Sequence, residues 1–248
     1  MVVGTFHPDL FAGKVVLVVG GTTGIGAGIG DAFARLGAVV TITGATAGEC
    51  ASAKSAPDFR CRDAVALDVR DAGAVGALVG NLPRLDVLVN CAGIIRRGAE
   101  HDVAVFEEVL AINLTGTMRT CTAARAKLKA SGGSIVNTAS VLSFFGGGLV
   151  PAYASSKGGV AQLTKSLAIA YAADGIRVNA IAPGWVATPL TQALRDDAQR
   201  SAAILARTPL GRWAQPADIA GAAVFLGSPA ARFITGAVMP VDGGYMIT

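Results

Sequence analysis

Seven short apolar runs alternate with helix-length segments along this chain, and no other feature constrains its fold as strongly. The runs are Val15–Val19, Val39–Thr43, Ala64–Leu67, Asp86–Val89, Ser134–Thr138, Ile176–Ile181 and Ala237–Val241. Helical character fills 25–36, 46–55, 71–81, 103–129, 152–173 and 216–227. Runs this short suit strands covered on both faces, which read as near-continuous apolar stretches. Strands separated by helices pair in parallel through crossover connections. The expected fold is therefore α/β: a Rossmann-type, doubly wound parallel sheet of about seven strands. No Pro-, Ser- or charge-rich linker divides the 248 residues. Residues 1–248 thus read as a single domain. The stretch 188–212 breaks the alternation. It reads as a helical insertion that covers the substrate, at the carboxyl ends of the strands where open α/β sheets bind ligands.

Composition narrows the function classes. Hydrophobic residues make up 52% and charged residues 15%, which excludes a disordered chain. The mean hydropathy of +0.53 fits a buried sheet, since no segment reaches the ~18 consecutive apolar residues of a membrane span. The net charge of +4 is dispersed, with no basic run, so nucleic acid is not an expected partner. Cys50, Cys61, Cys91 and Cys121 form no C-x-x-C pair, and the histidines are His7 and His101 only. Neither a metal site nor a disulfide framework is expected, and reduced thiols suit the cytoplasm. The first fourteen residues lack the basic and apolar regions of a secretory signal.

The first apolar run leads directly into Gly20-Gly21-Thr22-Thr23-Gly24-Ile25-Gly26. Glycines at 20, 24 and 26 permit a tight turn and close backbone approach to a pyrophosphate, and the following helix offers free N–H groups. Gly20, Thr22, Thr23, Gly24, Ile25 and Gly26 are therefore candidate cofactor-binding residues. The strict G-x-G-x-x-G fingerprint is absent, because Ile29 stands in its last glycine position. The second strand ends Thr43-Gly44-Ala45-Thr46, offering neither an acid for ribose hydroxyls nor an arginine for a 2′-phosphate. Lack of a cation favours NAD, with NADP as the alternative.

Tyr153 and Lys157 stand four residues apart in a predicted helix, on one face. An ammonium beside a phenol is expected to lower its pKa and make Tyr153 a general acid/base for alcohol–ketone interconversion. Ser140 lies just past the fifth strand, where its hydroxyl reaches a substrate oxygen. Asn113 is a lone amide directly after the apolar stretch Val109-Leu110-Ala111-Ile112. It either packs helices or holds a water beside Lys157.

With these residues in order, the chain resembles the short-chain dehydrogenase/reductase family over essentially its whole length. The further matches are Leu67-Asp68-Val69, Asn90-Cys91-Ala92-Gly93, Pro183-Gly184 and Val241-Asp242-Gly243-Gly244. Val19 and Cys91 depart from the family's usual threonine and asparagine. The resemblance implies a catalytic tetrad of Asn113, Ser140, Tyr153 and Lys157. It implies an adenine contact at Asp68 and Val69, and an adenosine-ribose wall of Asn90, Ala92 and Gly93. Lys157 would also hold the nicotinamide ribose. Pro183, Gly184, Val186 and Thr188 would hold the carboxamide end. It also implies a homotetramer.

Ile94-Ile95-Arg96-Arg97, Val150-Pro151-Ala152-Tyr153 and Leu210-Gly211-Arg212-Trp213 further resemble the family's sugar-acid dehydrogenases, of gluconate and 2-dehydro-3-deoxygluconate type. A carboxylate substrate needs a cation, and arginine clasps it bidentately. Arg96 and Arg97 are the candidates, with Ser140 and Tyr153 on the reacting oxygen. Arg195 and Arg200 are alternatives. Competing readings are a 3-oxoacyl carrier-protein reductase, a broad secondary-alcohol dehydrogenase and a non-catalytic dinucleotide sensor.

Overall fold

The computed structural model describes residues 5–248; residues 1–4 of the expected domain and N-terminal segment lie outside them. Seven strands form one sheet: β1 (Val15–Val19), β2 (Val39–Gly44), β3 (Asp63–Ala66), β4 (Val87–Asn90), β5 (Ser134–Thr138), β6 (Arg177–Pro183) and β7 (Val238–Val241). Their order is β3-β2-β1-β4-β5-β6-β7, and every pairing is parallel. The helices are α1 (Gly24–Arg35), α2 (Ala47–Lys54), α3 (Ala72–Asn81), α4 (Val103–Leu110), α5 (Gly116–Ser131), α6 (Pro151–Tyr171), α7 (Gln192–Arg195), α8 (Ala198–Ala206) and α9 (Pro216–Gly227). The expected strands and major helices are present, with ends shifted by at most two residues.

Alternation along each strand builds two apolar layers. Val16 and Val18 of β1 join Val87 and Val89 of β4 beneath α1 and α9, around Ile29, Phe33, Ile219 and Val224. Leu17, Val19, Leu88 and Ile135 face the other way, onto Val75, Leu128 and Leu167 of α3, α5 and α6. Both faces are covered, which is why the strands read as apolar runs. Among the described residues, no helix is long and apolar enough to cross a membrane.

One predicted element differs. The segment 103–129, read as one helix, is divided into α4 and α5 by a π turn at Ala111–Thr115. The wider turn carries Asn113 at its centre, and π turns of this kind re-aim a side chain inside an otherwise regular helix. The sheet order reverses direction between β1 and β4, so the loops leaving these strands splay apart at the carboxyl edge.

Candidate active site

The glycine loop leaves β1 at that reversal. Gly20 has φ +80° and a Cβ there would run into the backbone of Ala92, while a Cβ on Gly26 would strike the Gly20 carbonyl. Gly24, at φ +56°, lies beneath Thr188, whose methyl would be 3.2 Å from a Cβ on it. Three chain segments thus close on one another with no side chain between them. This cradle and the free N–H groups at the start of α1 fit a dinucleotide phosphate. Gly184 makes a similar approach, since a Cβ on it would lie 2.8 Å from Asp242. Val186 bridges in parallel to Ala214 and fixes the base of the 188–212 insertion.

Asn113 reaches from the π turn to the loop after β4. Its Oδ1 accepts from the Ile94 N–H at 2.8 Å, and its Nδ2 donates to the Ile94 carbonyl at 3.0 Å and to Ser156 Oγ at 3.0 Å. It therefore pins the loop beyond Gly93 to α6. Lys157 is buried on the same side and donates from Nζ to the Thr138 carbonyl at 2.6 Å. Its Nζ stands 5.6 Å from the Tyr153 ring centroid. Ser140 Oγ accepts from the Leu142 N–H at 3.2 Å and stands near enough to the Tyr153 phenol to draw its pKa down. Ser143, three residues on, donates to the Lys157 carbonyl at 2.7 Å and fixes the Ser140 turn to α6. The four residues of the expected tetrad are thus brought together.

The electrostatics differ from the expectation for Tyr153. Burial pushes its phenol above the ordinary 10; the Ser140 hydroxyl and the Arg97 charge pull it down, and the Glu100 charge pushes it up. Lys157 is itself desolvated, and burial draws it down to about 8. Helical spacing places the two groups together but does not report the dielectric around them.

Other assignments are refined. The Asn90 side chain turns inward. It donates to Asn137 Oδ1 at 2.9 Å and accepts from Thr120 Oγ1 at 2.7 Å, so only its backbone remains at the expected ribose wall. Asp68 is clasped by Arg70, with a shortest contact of 2.8 Å. The Val69 carbonyl accepts from Arg119 at 3.2 Å. Arg96 is drawn to Glu108 on α4 at 3.4 Å, whereas Arg97 is near enough to Tyr153 to influence it. Of the alternatives, Arg195 donates to Gln192, and Arg200 pairs with Asp197 at 3.3 Å. Cys91, in the place of the family's asparagine, lies 3.2 Å from Thr138 Oγ1.

An acid does stand at the end of β2, contrary to the sequence reading. Glu49, in the first turn of α2, folds back and accepts from the Ala45 N–H at 2.8 Å, while Thr46 Oγ1 accepts from the Glu49 N–H at 3.2 Å. A Cβ on Gly44 would lie 3.0 Å from Glu49 Oε2 and 3.1 Å from Thr22 Oγ1. The signal was the Thr46-x-x-Glu49 spacing of a capping box.

Residues 19–246 match the profile of the family described as enoyl-(acyl carrier protein) reductase. The chain belongs to the short-chain dehydrogenase/reductase family. This short-chain dehydrogenase/reductase is 43% identical over 252 residues to the 2-dehydro-3-deoxy-D-gluconate 5-dehydrogenase of Bacillus subtilis, covering 98% of this chain and 99% of the relative. It is 42% identical to the cis-4-hydroxycyclohexanecarboxylate dehydrogenase of Sinomonas cyclohexanicum, covering 96% and 98%. A crystal structure described as an NAD(P)-dependent gluconate 5-dehydrogenase from Beutenbergia cavernae, with NADP bound at low occupancy, superposes with a TM-score of 0.89 at 42% identity. The match covers 98% of this chain and 100% of that one. The protein is an NAD(P)-dependent oxidoreductase acting on CH–OH groups.

Proposed function

We propose that this protein interconverts a secondary alcohol and a ketone on a keto sugar acid of the gluconate or 2-dehydro-3-deoxygluconate type, with NAD preferred over NADP. The observation that carries the proposal is the convergence of the Tyr153 phenol, the nearby Ser140 hydroxyl and the buried Lys157 ammonium next to Gly93. Ser140 holds the substrate oxygen, and Tyr153 exchanges a proton with it. Lys157, drawn to about 8, holds a proton it can release near neutral pH. Asn113 fixes the loop that walls the site. When bound, the nicotinamide dinucleotide supplies and accepts the hydride. Gly20, Thr22, Thr23, Gly24, Ile25 and Gly26 would hold its phosphates. Asp68, Val69 and the backbone of Asn90, Ala92 and Gly93 would hold its adenosine side. Pro183, Gly184, Val186 and Thr188 would hold its carboxamide end. The Glu49 carboxylate beside Thr22 supports the NAD preference, since it repels a 2′-phosphate and accepts from ribose hydroxyls. Arg97 is the proposed partner of the substrate carboxylate, and the insertion at 188–212 covers it.

The deciding experiment is a steady-state panel of D-gluconate, 2-dehydro-3-deoxy-D-gluconate, galactitol and acetoacetyl thioesters with each dinucleotide. Tyr153→Phe keeps the ring and loses the transferable proton, so turnover should fall at least about 10²-fold while NAD still binds. Turnover of the thioesters without the sugar acids, or near-normal turnover in Tyr153→Phe, would refute the proposal. Phe144, Phe145, Leu149 and Leu190 are partly or well exposed on the loops at this edge. That apolar rim favours a second reading, an alicyclic hydroxy acid, so cis-4-hydroxycyclohexanecarboxylate belongs in the panel. Exposed Val103, Met118 and Ile169 on α4–α6 support assembly of copies, with a homotetramer expected by light scattering. Four free thiols support a reducing, cytoplasmic location.

A further inference from the structure

Glu100 is among the most deeply buried charged side chains of the chain, with 1% of its surface exposed. Among the described residues it forms no ion pair. Its two oxygens are instead divided between two backbone donors. Oε1 accepts from the Arg96 N–H at 2.8 Å, and Oε2 accepts from the Tyr153 N–H at 2.8 Å. The second bond has a local cause. Val150, which precedes helix α6, caps nothing with its side chain, and the helix's first residue is Pro151. The N–H of Tyr153, the third residue of the helix, has no partner within the helix. A carboxylate arriving from a segment 53 residues earlier satisfies it, and the positive end of the helix favours the charge. The same segment is tied again to the chain before α6. Gly98 N–H donates to the Leu149 carbonyl at 2.8 Å, and His101 Nε2 lies 2.9 Å from the Gly148 carbonyl.

A cap on a helix is usually a matter of stability. Here the capped residue is Tyr153 itself, and the other oxygen holds the residue preceding Arg97. We propose that Glu100 is a positioning residue, whose two carboxylate oxygens fix the spacing between the substrate-anchoring loop at Ile94–Ala99 and the proton-transferring Tyr153. This rests on the roles given above to Arg97 and Tyr153. The charge has a second effect, since it stands near the phenol and disfavours the phenolate. The groups that face Tyr153 are Lys157 on α6, Arg97 and Glu100 from the loop after β4, and the Ser140 hydroxyl after β5. Cys91 acts on Lys157 from the end of β4.

Two substitutions separate geometry from charge. Glu100→Gln removes the charge and turns an amide N–H₂ toward one backbone N–H. Glu100→Asp keeps the charge but is one methylene short of bridging both donors. The phenolate absorbance of Tyr153 is titrated in each variant, with Tyr153→Phe as the blank that removes Tyr171 and Tyr245. This readout needs no turnover. It therefore still decides on Glu100 if the substrate panel refutes the functional reading. In Glu100→Gln the midpoint should fall by at least about half a pH unit, because a like charge near the phenol is lost. In Glu100→Asp it should stay at the wild-type value. With D-gluconate, kcat should fall at least about tenfold in both, as expected when a reacting group is misplaced by a fraction of an ångström. NAD affinity by fluorescence titration should stay within about twofold, since neither bond touches the glycine cradle. An unmoved midpoint in Glu100→Gln overturns the proposal, as does wild-type kcat in either variant. Loss of NAD affinity in step with activity marks a merely structural cap and also overturns it. If Glu100→Gln does not fold, Glu100→Asp alone decides, by losing kcat with NAD affinity kept.

Discussion

Arg97 stands close enough to Tyr153 for its charge to favour the phenolate, while Arg96, one residue earlier, is drawn to Glu108. The chain turns here, with the Ala99 N–H donating to the Arg96 carbonyl, and the two side chains meet different partners, so a run of two arginines offers one cation to the site. Arg97→Ala should therefore raise KM for D-gluconate by about five- to tenfold, the range of a partly solvated charge pair. It should spare kcat and leave galactitol unaffected. Arg96→Ala should change neither substrate beyond about twofold, because a half-exposed ion pair contributes little. Equal effects of the two substitutions in steady-state assays would remove the electrostatic basis of a carboxylate substrate. The sequence carried the pair and not the choice between its members, because nothing local to Arg96 announces Glu108 twelve residues on. Tyr153 and Lys157 stood out in the sequence through their four-residue spacing together with Ser140 and Asn113. The direction of the phenol's pKa was not, since burial belongs to the folded surroundings and not to the four-residue interval.

At the scale of elements, the first turn of α2 does two things at once. Thr46 caps it by accepting from the Glu49 N–H, the Glu49 carboxylate accepts from the Ala45 N–H, and the same carboxylate comes to rest beside Gly44 and Thr22. Glu49→Gln keeps an acceptor for Ala45 and removes the charge. The ratio of kcat/KM for NAD over that for NADP should then fall by about tenfold, equivalent to ~1.4 kcal/mol. An unchanged ratio would assign the selection to Thr22 and the backbone. The strands were readable because a sheet covered on both faces needs apolar residues on both, as Val16 and Leu17 illustrate. The π turn was not readable. Its residues Ala111–Thr115 suit a regular helix, and the extra residue is accommodated by the three bonds Asn113 makes with Ile94 and Ser156. Glu100 escaped the sequence for a similar reason, because both of its partners are backbone groups, and backbone groups leave no mark in composition.

Across the whole molecule, the two edges of the sheet have different tasks. The site gathers at the carboxyl edge, while Asp86 ties the opposite one. Its carboxylate accepts from the Val15 N–H at 3.0 Å and Arg84 Nε at 2.9 Å, and pairs with Lys14 at 3.4 Å. Burial opposes its ionisation, but the bonds to Arg84, Val15 and Lys14 outweigh it and hold the carboxyl below the ordinary 3.8. A depressed value means that the stabilisation is complete above about pH 4. It is lost as pH falls through the folded-state value. Asp86→Asn should lower the melting temperature at neutral pH by about 2–4 °C, corresponding to ~1 kcal/mol in a chain of this size. The gap between variant and wild type should close in strong acid, as followed by circular dichroism. A constant gap at every pH would show that the bond to Val15, and not the charge, carries the effect. The insertion that leaves the carboxyl edge has a property of another kind. Val186 and Ala214 bridge at its root, with the Ala187 N–H donating to Ala214 and the Ala214 N–H donating to Trp185. Within the segment, the Leu210 N–H donates to the Gly243 carbonyl, Arg207 donates to the Tyr245 hydroxyl and Arg212 pairs with Asp218, so it leans on the C-terminal turn and on α9 as well as on this stem. A segment whose two ends are paired to each other at the sheet edge can change in its interior without displacing a strand, since both ends stay in register through the Val186–Ala214 bridge.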